Sequence, residues 1–239
     1  MQKIVYIVFV FTIGLMSAQA QTNLLAQGDK FMTRFQFDKA AAIYKKAADR
    51  DSKDIVAWEK LGNALMFMGD LQSAEAVYST IITNPSANVV NKFYYAQVLR
   101  SNGKYTEAGK YYAQFAKAAP DDARNRYFLN FDETVQALQK NTRQYDLSNL
   151  PENSAGSDIG PAYCAGRVTF TSNRDASAAV KNLDFWSGKG FYDLYESKSD
   201  AKGNVSMPAK MKGKVNRKWN DGPATFSADG NTMIFYALK

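Results

Sequence analysis

The chain has 239 residues, 46% of them hydrophobic and 22% charged, with a formal net charge of +7. This is the composition of a globular protein long enough for two domains, each with its own core. It contains no histidine, which excludes a histidine general base, a Ser-His-Asp or Cys-His nucleophile and every His-ligated zinc or haem site. The single cysteine, Cys164, excludes an internal disulfide and a CxxC metal or redox centre. With Gly160-Pro161 and Gly166 around it and no base available, Cys164 reads as a buried small hydrophobe.

Taken from the N-terminus, Met1-Gln2-Lys3 supplies a positive charge, Ile4 to Met16 is apolar apart from Thr12 and Gly14, and Ala18-Gln19-Ala20 gives a small-x-small cleavage pattern. Residues 1–20 are therefore expected to be a secretory signal peptide, with the mature chain starting at Gln21 and no transmembrane span in it. An anchor needs about 20 consecutive apolar residues.

A repeat follows. Ala40, Ala74 and Ala108 are spaced by 34 residues, and the same register aligns Tyr44, Tyr78 and Tyr112 and, upstream, Gly28, Gly62 and Ala96. A small residue on each of two antiparallel helices lets their backbones approach, while Trp58, Leu61, Leu65 and Tyr78 fill the space beside them. Pro85 and Pro120 stand where second helices should stop. The pattern resembles the tetratricopeptide repeat, with repeats at 21–54, 55–88 and 89–122 and a capping helix at about 123–140, where Tyr127, Phe128, Phe131 and Val135 have helical spacing. The domain is expected to span 21–140.

The first helices of such a stack line its inner face. That places Leu25, Asp29, Met32, Glu59, Asn63, Met66, Phe93, Gln97 and Arg100 on one concave surface, apolar anchors among polar groups that suit an extended or helical peptide. Tyr78, Tyr112, Phe115 and Trp58 are expected in the core instead. The carboxylate pairs Asp121-Asp122 and Asp49/Asp51 fall at helix ends and read as solvated or capping groups, not as an acid/base pair. No catalytic residue, metal ligand or cofactor site is expected.

Residues 141–157, NTRQYDLSNLPENSAGS, have no helical period and form a linker. Beyond it the period becomes 2, in Arg167–Ser172 and Thr232–Tyr236. These belong to two copies of a motif, DIGPAYCAGRVTFTSNRD and NDGPATFSADGNTMIFYALK, with Asp229-Gly230 as a hairpin turn. Tyr192–Tyr195 and a run around Lys210–Val215 would complete a four-stranded unit. The basic run Lys202, Lys210, Lys212, Lys214, Arg217, Lys218 reads as a solvated loop. FSADGNTMIFY resembles the blade motif of TolB-like, WD-related β-propellers. SDIGPAYCAGRVTFTSNRD resembles the opening blade that follows tetratricopeptide repeats in OmpA-family outer-membrane proteins, some of them anchors of type IX secretion.

The resemblance implies an α+β multidomain chain: a tetratricopeptide solenoid, then the first blades of an incomplete β-propeller over 158–239. It also implies an exported, periplasmic, outer-membrane-associated protein that binds envelope or secretion-system partners through its groove. Peptidoglycan would be gripped only by a C-terminal OmpA-like domain outside this chain, and no nucleic acid is expected. The alternative is an exported propeller hydrolase or peptidase whose catalytic domain lies beyond Lys239.

Overall fold

The computed structural model describes residues 19–128, 130–140, 148–174 and 183–238. The expected signal segment up to residue 18 and the first part of the linker, 141–147, lie outside the described residues. Two compact units are present: residues up to Tyr145 with Phe185–Ser187, and Asp146–Asp184 with Gly188–Lys239. Among the described residues no helix is long and apolar enough to cross a membrane.

The first unit is helical. Residues 19–32 form α1, followed by α2 (Phe37–Arg50), α3 (Ile55–Met68), α4 (Leu71–Ile81), α5 (Val90–Ser101) and α6 (Tyr105–Ala118). Local chemistry sets the boundaries. The Asp54 carboxylate accepts the Ala57 N–H at 3.1 Å and starts α3, and the Asp70 carboxylate does the same for Ser73 at the start of α4. Between them Gly69 takes φ 77°, the left-handed conformation that ends α3 and turns the chain back.

Pairing α1 with α2, α3 with α4 and α5 with α6 gives three helical hairpins. Ala40, Ala74 and Ala108 are each 0% exposed, so the three alanines stand at closest approach with no room beside them. Gly28 and Gly62 serve the facing helices: a Cβ on Gly28 would run into the Tyr44 ring, and one on Gly62 would lie 3.0 Å from the ring of Tyr78. Tyr44, Tyr78, Tyr112 and Phe115 are buried in one apolar core with Leu61, Ile81 and Leu99. Trp58 is half-buried against it, its indole N–H donating to the Ser52 carbonyl at 3.1 Å.

The capping element differs from the single helix expected over 123–140. It is a short 3₁₀ turn, Ala123–Tyr127, followed by a separate helix α7, Phe131–Lys140. The Asp122 carboxylate starts the turn by accepting the Arg124 N–H at 3.0 Å and also holds the Arg124 guanidinium at 2.6 Å. Phe128 and Phe131 pack on the core, while α7 has no buried residue. The side chain of Tyr127 lies outside the described set.

The second unit is antiparallel sheet. Strands β1 (Asp158–Cys164), β2 (Arg167–Ser172), β3 (Leu183–Asp184), β4 (Lys189–Gly190), β5 (Asp193–Lys198), β6 (Ala209–Lys210), β7 (Asp221–Phe226) and β8 (Met233–Ala237) occur in that order. They form a four-stranded sheet β1-β2-β5-β6 and the hairpins β3-β4 and β7-β8. The two sequence copies become β1-β2 and β7-β8. The first copy has the tighter turn, with two consecutive positive φ angles at Ala165 (48°) and Gly166 (74°), whereas in the Asp229-Gly230 turn, expected to use positive φ at both residues, only Gly230 is positive. Asp229 acts through its side chain, accepting from Ser227 Oγ and the Asn231 N–H.

The strand expected around Lys210–Val215 is cut to two residues. Beyond it the Asn216 amide takes the place of a strand, accepting the Leu194 N–H at 2.6 Å and donating to the Leu194 and Met211 carbonyls. Leu194 and Tyr195 are the buried centre of the sheet. Cys164 is half-buried rather than fully buried, because β1 presents alternate residues outward on the edge of its sheet.

Asp158 opens β1. It accepts the Ser154 N–H at 2.7 Å and pairs with Arg174 at 2.9 Å, and both side chains are about 15% exposed (14%/15%). Burial works to raise the carboxyl, but hydrogen bonds from Ser172, Ser154 and Arg174 outweigh it and bring Asp158 down to about 2 from an ordinary value near 3.8.

Two predictions follow from these contacts. Leucine at Ala74 or Ala108 overpacks a helical hairpin and should cost about 1–3 kcal/mol; thermal melts of either variant that match the wild type would contradict the packing. A carboxyl depressed in the folded state stabilises fully above its unfolded value and loses that contribution as pH falls through the folded one. Asp158→Asn should therefore cost on the order of 2 kcal/mol at neutral pH. The difference from wild type in denaturant melts should shrink between pH 4 and 2.

Candidate functional site

On α1, α3 and α5 the repeat register aligns three rows: Leu25, Glu59 and Phe93; Asp29, Asn63 and Gln97; Met32, Met66 and Arg100. The structure separates these residues into three kinds. Phe93 is in the core, 5% exposed, and not on a groove surface as expected. Ring contacts with Tyr112, Phe115 and Phe128 at 5.9, 5.3 and 5.4 Å surround it, and the Arg124 guanidinium lies 5.1 Å from its centroid. The segment after α6 supplies Arg124 and Phe128, so the residues that terminate the stack also cover Phe93.

Asp29, Asn63 and Glu59 hold the helices to one another. Tyr44 donates its hydroxyl to Asp29 at 2.6 Å and Tyr78 donates to Asn63 at 2.8 Å, the same bond one repeat apart. Asp29 also receives the Lys60 ammonium from α3 at 2.6 Å, and Glu59 receives the Asn91 amide from α5 at 2.5 Å. Each repeat is thereby tied to the next by polar contacts along the first helices, and Gln21 of α1 also donates to Asp54 at the start of α3, at 2.6 Å. Burial tends to raise the Asp29 carboxyl, but hydrogen bonds from Lys60 and Tyr44 prevail and hold it below its ordinary value. The Tyr44 and Tyr78 phenols are pushed well up, burial being the largest cause in both.

Leu25, Met32 and Met66 are half-buried, packed on the core with part of each side chain left accessible. Gln97 is half-buried and Arg100 is exposed. Arg100 forms no ion pair among the described residues; its guanidinium lies 5.8 Å from the Phe128 centroid. The side chains of this set that stay at least partly accessible are therefore Leu25, Met32, Met66, Gln97 and Arg100. Sequence reasoning missed Lys60, Asn91 and Arg124, whose contacts depend on which repeat abuts which. The 31- and 32-residue separations of Lys60 from Asp29 and Asn91 from Glu59 are a signal that could have found two of them.

The third repeat breaks the pattern. Ala96 has the Cβ that Gly28 and Gly62 lack, and the Tyr112 hydroxyl is buried with no hydrogen-bond partner among the described residues. Burial pushes it up to about 12, against the opposing charge of Arg100. Among the described residues no group of three or more Cys, Asp or Glu side chains is placed to hold a metal ion.

The contrast makes a paired prediction. Tyr44→Phe removes a hydrogen bond to a carboxylate and should lower stability by about 1 kcal/mol. Tyr112→Phe removes a buried hydroxyl that has no partner and should be neutral or slightly stabilising. Equal losses for the two variants in urea melts would show that the hydroxyls are equivalent.

Two models of the tetratricopeptide repeat family match, over residues 24–84 and 59–123. No curated protein sequence matches the chain. Among solved structures, the helical part is similar to the first tetratricopeptide domain of Spaghetti (RPAP3), solved with the HSP90 peptide SRMEEVD. The identity is 19%, covering 51% of this chain and 94% of that one, with a TM-score of 0.46. It is also similar to PcrH from Pseudomonas aeruginosa, at 16% identity, 51% and 92% coverage and a TM-score of 0.42. A third is the Yersinia enterocolitica type III secretion translocator chaperone SycD, at 15% identity, 53% and 95% coverage and a TM-score of 0.43. Residues 24–123 are an array of tetratricopeptide repeats.

Proposed function

We propose that the protein is a non-catalytic scaffold whose helical array holds a peptide segment of another protein against α1, α3 and α5. The observation that carries this reading is the residual face of those helices. After the internal ladder has used Asp29, Glu59 and Asn63, the apolar edges of Met32 and Met66 remain accessible, with Gln97 and the charge of Arg100, which has no ion pair among the described residues, at one end. Methionine adapts its shape to different apolar partners, and a cation at the end of an apolar strip favours a peptide with an acidic group following its apolar residues. The array binds a segment in extended or helical form, which is how repeat stacks present their first helices.

The finer assignment rests on sequence resemblance. The signal-like N-terminus supports export, and the two copies of the Gly-Pro-Ala motif support a β-propeller of the TolB-like kind over 158–239 as a second docking face. Together they support membership of the OmpA-type envelope proteins, linked to a secretion complex and, through a domain outside this chain, to peptidoglycan.

Two measurements test the reading. Mass spectrometry of the exported protein should give an N-terminus at Gln21; an intact Met1 would remove the export assignment. Envelope proteins captured by the immobilised mature chain should be reduced at least about fivefold by Arg100→Glu and by Met66→Ala, and unchanged by Lys110→Ala on the exposed surface of α6. Phe93→Ala is unsuitable as a binding probe because it opens the core. Capture insensitive to both Arg100→Glu and Met66→Ala would exclude this face.

A further inference from the structure

A cavity of about 440 Å³ lies between α6 and the segment that follows it, lined by none of the residues of α1, α3 or α5. Its walls are aromatic: Tyr112 and Phe115 from α6, with Phe128 and Phe131 from the capping segment. Tyr112 and Phe128 stack at 4.0 Å, and Phe131 meets Tyr112 edge-on at 5.0 Å. The rim carries Asp132 and Glu133, in the first turn of α7, where the helix dipole stabilises their negative charge. Gly109 has no side chain to keep Asp132 out, so that carboxylate sits close against α6.

Three features of this cavity select the same chemistry. No basic residue lines it, and neither Asp132 nor Glu133 has an ion-pair partner among the described residues. Two oxygens of its lining residues, Tyr112 Oη and Asn125 Oδ1, are buried with no hydrogen-bond partner among the described residues, while the Asn125 amide nitrogen is already used by the Ala119 and Pro120 carbonyls. The ring cluster already draws the chain's own cations: Arg124 lies 5.2 Å from the Phe115 centroid and Arg100 lies 5.8 Å from that of Phe128. Aromatic faces, the acceptor-only oxygen of Asn125, a Tyr112 hydroxyl able to accept, and carboxylates with no ion pair among the described residues all favour a donor-only cation with an apolar stem.

We propose that the cavity binds an alkylammonium group, the stem lying among the four rings and the ammonium reaching the carboxylates at the rim. The group is carried either by a lysine side chain of a partner or by a free alkylamine. This site is separate from the peptide face of the first helices, and the two readings stand or fall independently.

Two-dimensional NMR titration of the full mature chain with three probes tests it: N-acetyl-lysine N-methylamide, cadaverine, and the uncharged N-acetyl-norleucine N-methylamide. Saturable shifts confined to α6, 123–128 and α7 are expected with at least one of the two cations and not with the norleucine probe. Tighter binding of the lysine derivative assigns the ligand to a protein side chain, and tighter binding of cadaverine assigns it to a free amine. The double variant Asp132→Asn, Glu133→Gln should weaken binding by about fivefold or more. Met66→Ala, which trims the peptide face at a residue that does not line the cavity, should not weaken it. Far-UV circular dichroism establishes that α7 persists in the double variant, and Glu133→Gln alone serves as the milder substitution if it does not. Equal binding of the norleucine probe, no saturable binding of either cation, or affinity unchanged by neutralising the rim with α7 intact would overturn the proposal.

Discussion

The helical unit depends on how closely a tyrosine ring can approach the backbone of the preceding helix. At Gly28 and Gly62 the absence of a side chain lets Tyr44 and Tyr78 lie directly against α1 and α3. That approach places each hydroxyl on the polar residue just after the glycine. One geometric constraint thus buries an aromatic ring, satisfies its hydroxyl and fixes the helix pair. Because the acceptor also receives Lys60 in the first repeat, the constraint extends from inside a repeat to the boundary with its neighbour. The remaining surface of α1, α3 and α5, with the thioethers of Met32 and Met66 and the Arg100 guanidinium, is what this internal arrangement leaves over.

The parts legible in the sequence were those that repeat. Ala40, Ala74 and Ala108 announced the helix pairs because close packing admits only small residues at those points, and the structure leaves all three fully buried. Met32, Met66 and Arg100 share one register position in the three repeats, and each keeps some accessible surface. Phe93 could not be read correctly: its position is equivalent to that of Leu25 and Glu59, but only the last repeat has a capping segment folded over it. Periodicity describes what neighbours share, and a terminal repeat has a neighbour on one side only. The helical spacing of the aromatics in the capping segment predicts one helix. The Asp122 cap instead begins a 3₁₀ turn that carries Arg124 to the rings of Phe93 and Phe115.

In the sheet unit, alternation located the strands and the repeated Gly-Pro-Ala motif related β1-β2 to β7-β8. What it missed were side chains that substitute for backbone. Asn216 pairs with both the N–H and the carbonyl of Leu194, ending β6 early without leaving those groups unsatisfied. An amide side chain can present a donor and an acceptor in the geometry of a peptide group, so a loop can close a sheet edge. No alternation rule detects this, since the residue that does it lies outside any strand.

The two ends of the tyrosine series show how a repeat array terminates. In the first two repeats the hydroxyl finds Asp29 or Asn63. In the third, Ala96 stands in place of the glycine, the Tyr112 hydroxyl is left without a partner among the described residues, and its ring stacks on Phe128 instead. The hydrogen bond inside the helical hairpin is thus exchanged for aromatic packing at the point where the capping segment follows. An aromatic cluster can be covered by a short turn and one helix, whereas the contacts that run from one first helix to the next, Lys60 to Asp29 and Asn91 to Glu59, need another first helix to receive them. The exchange closes the core with few residues, and it leaves an aromatic cavity with acidic groups at its edge where the next repeat would otherwise have packed.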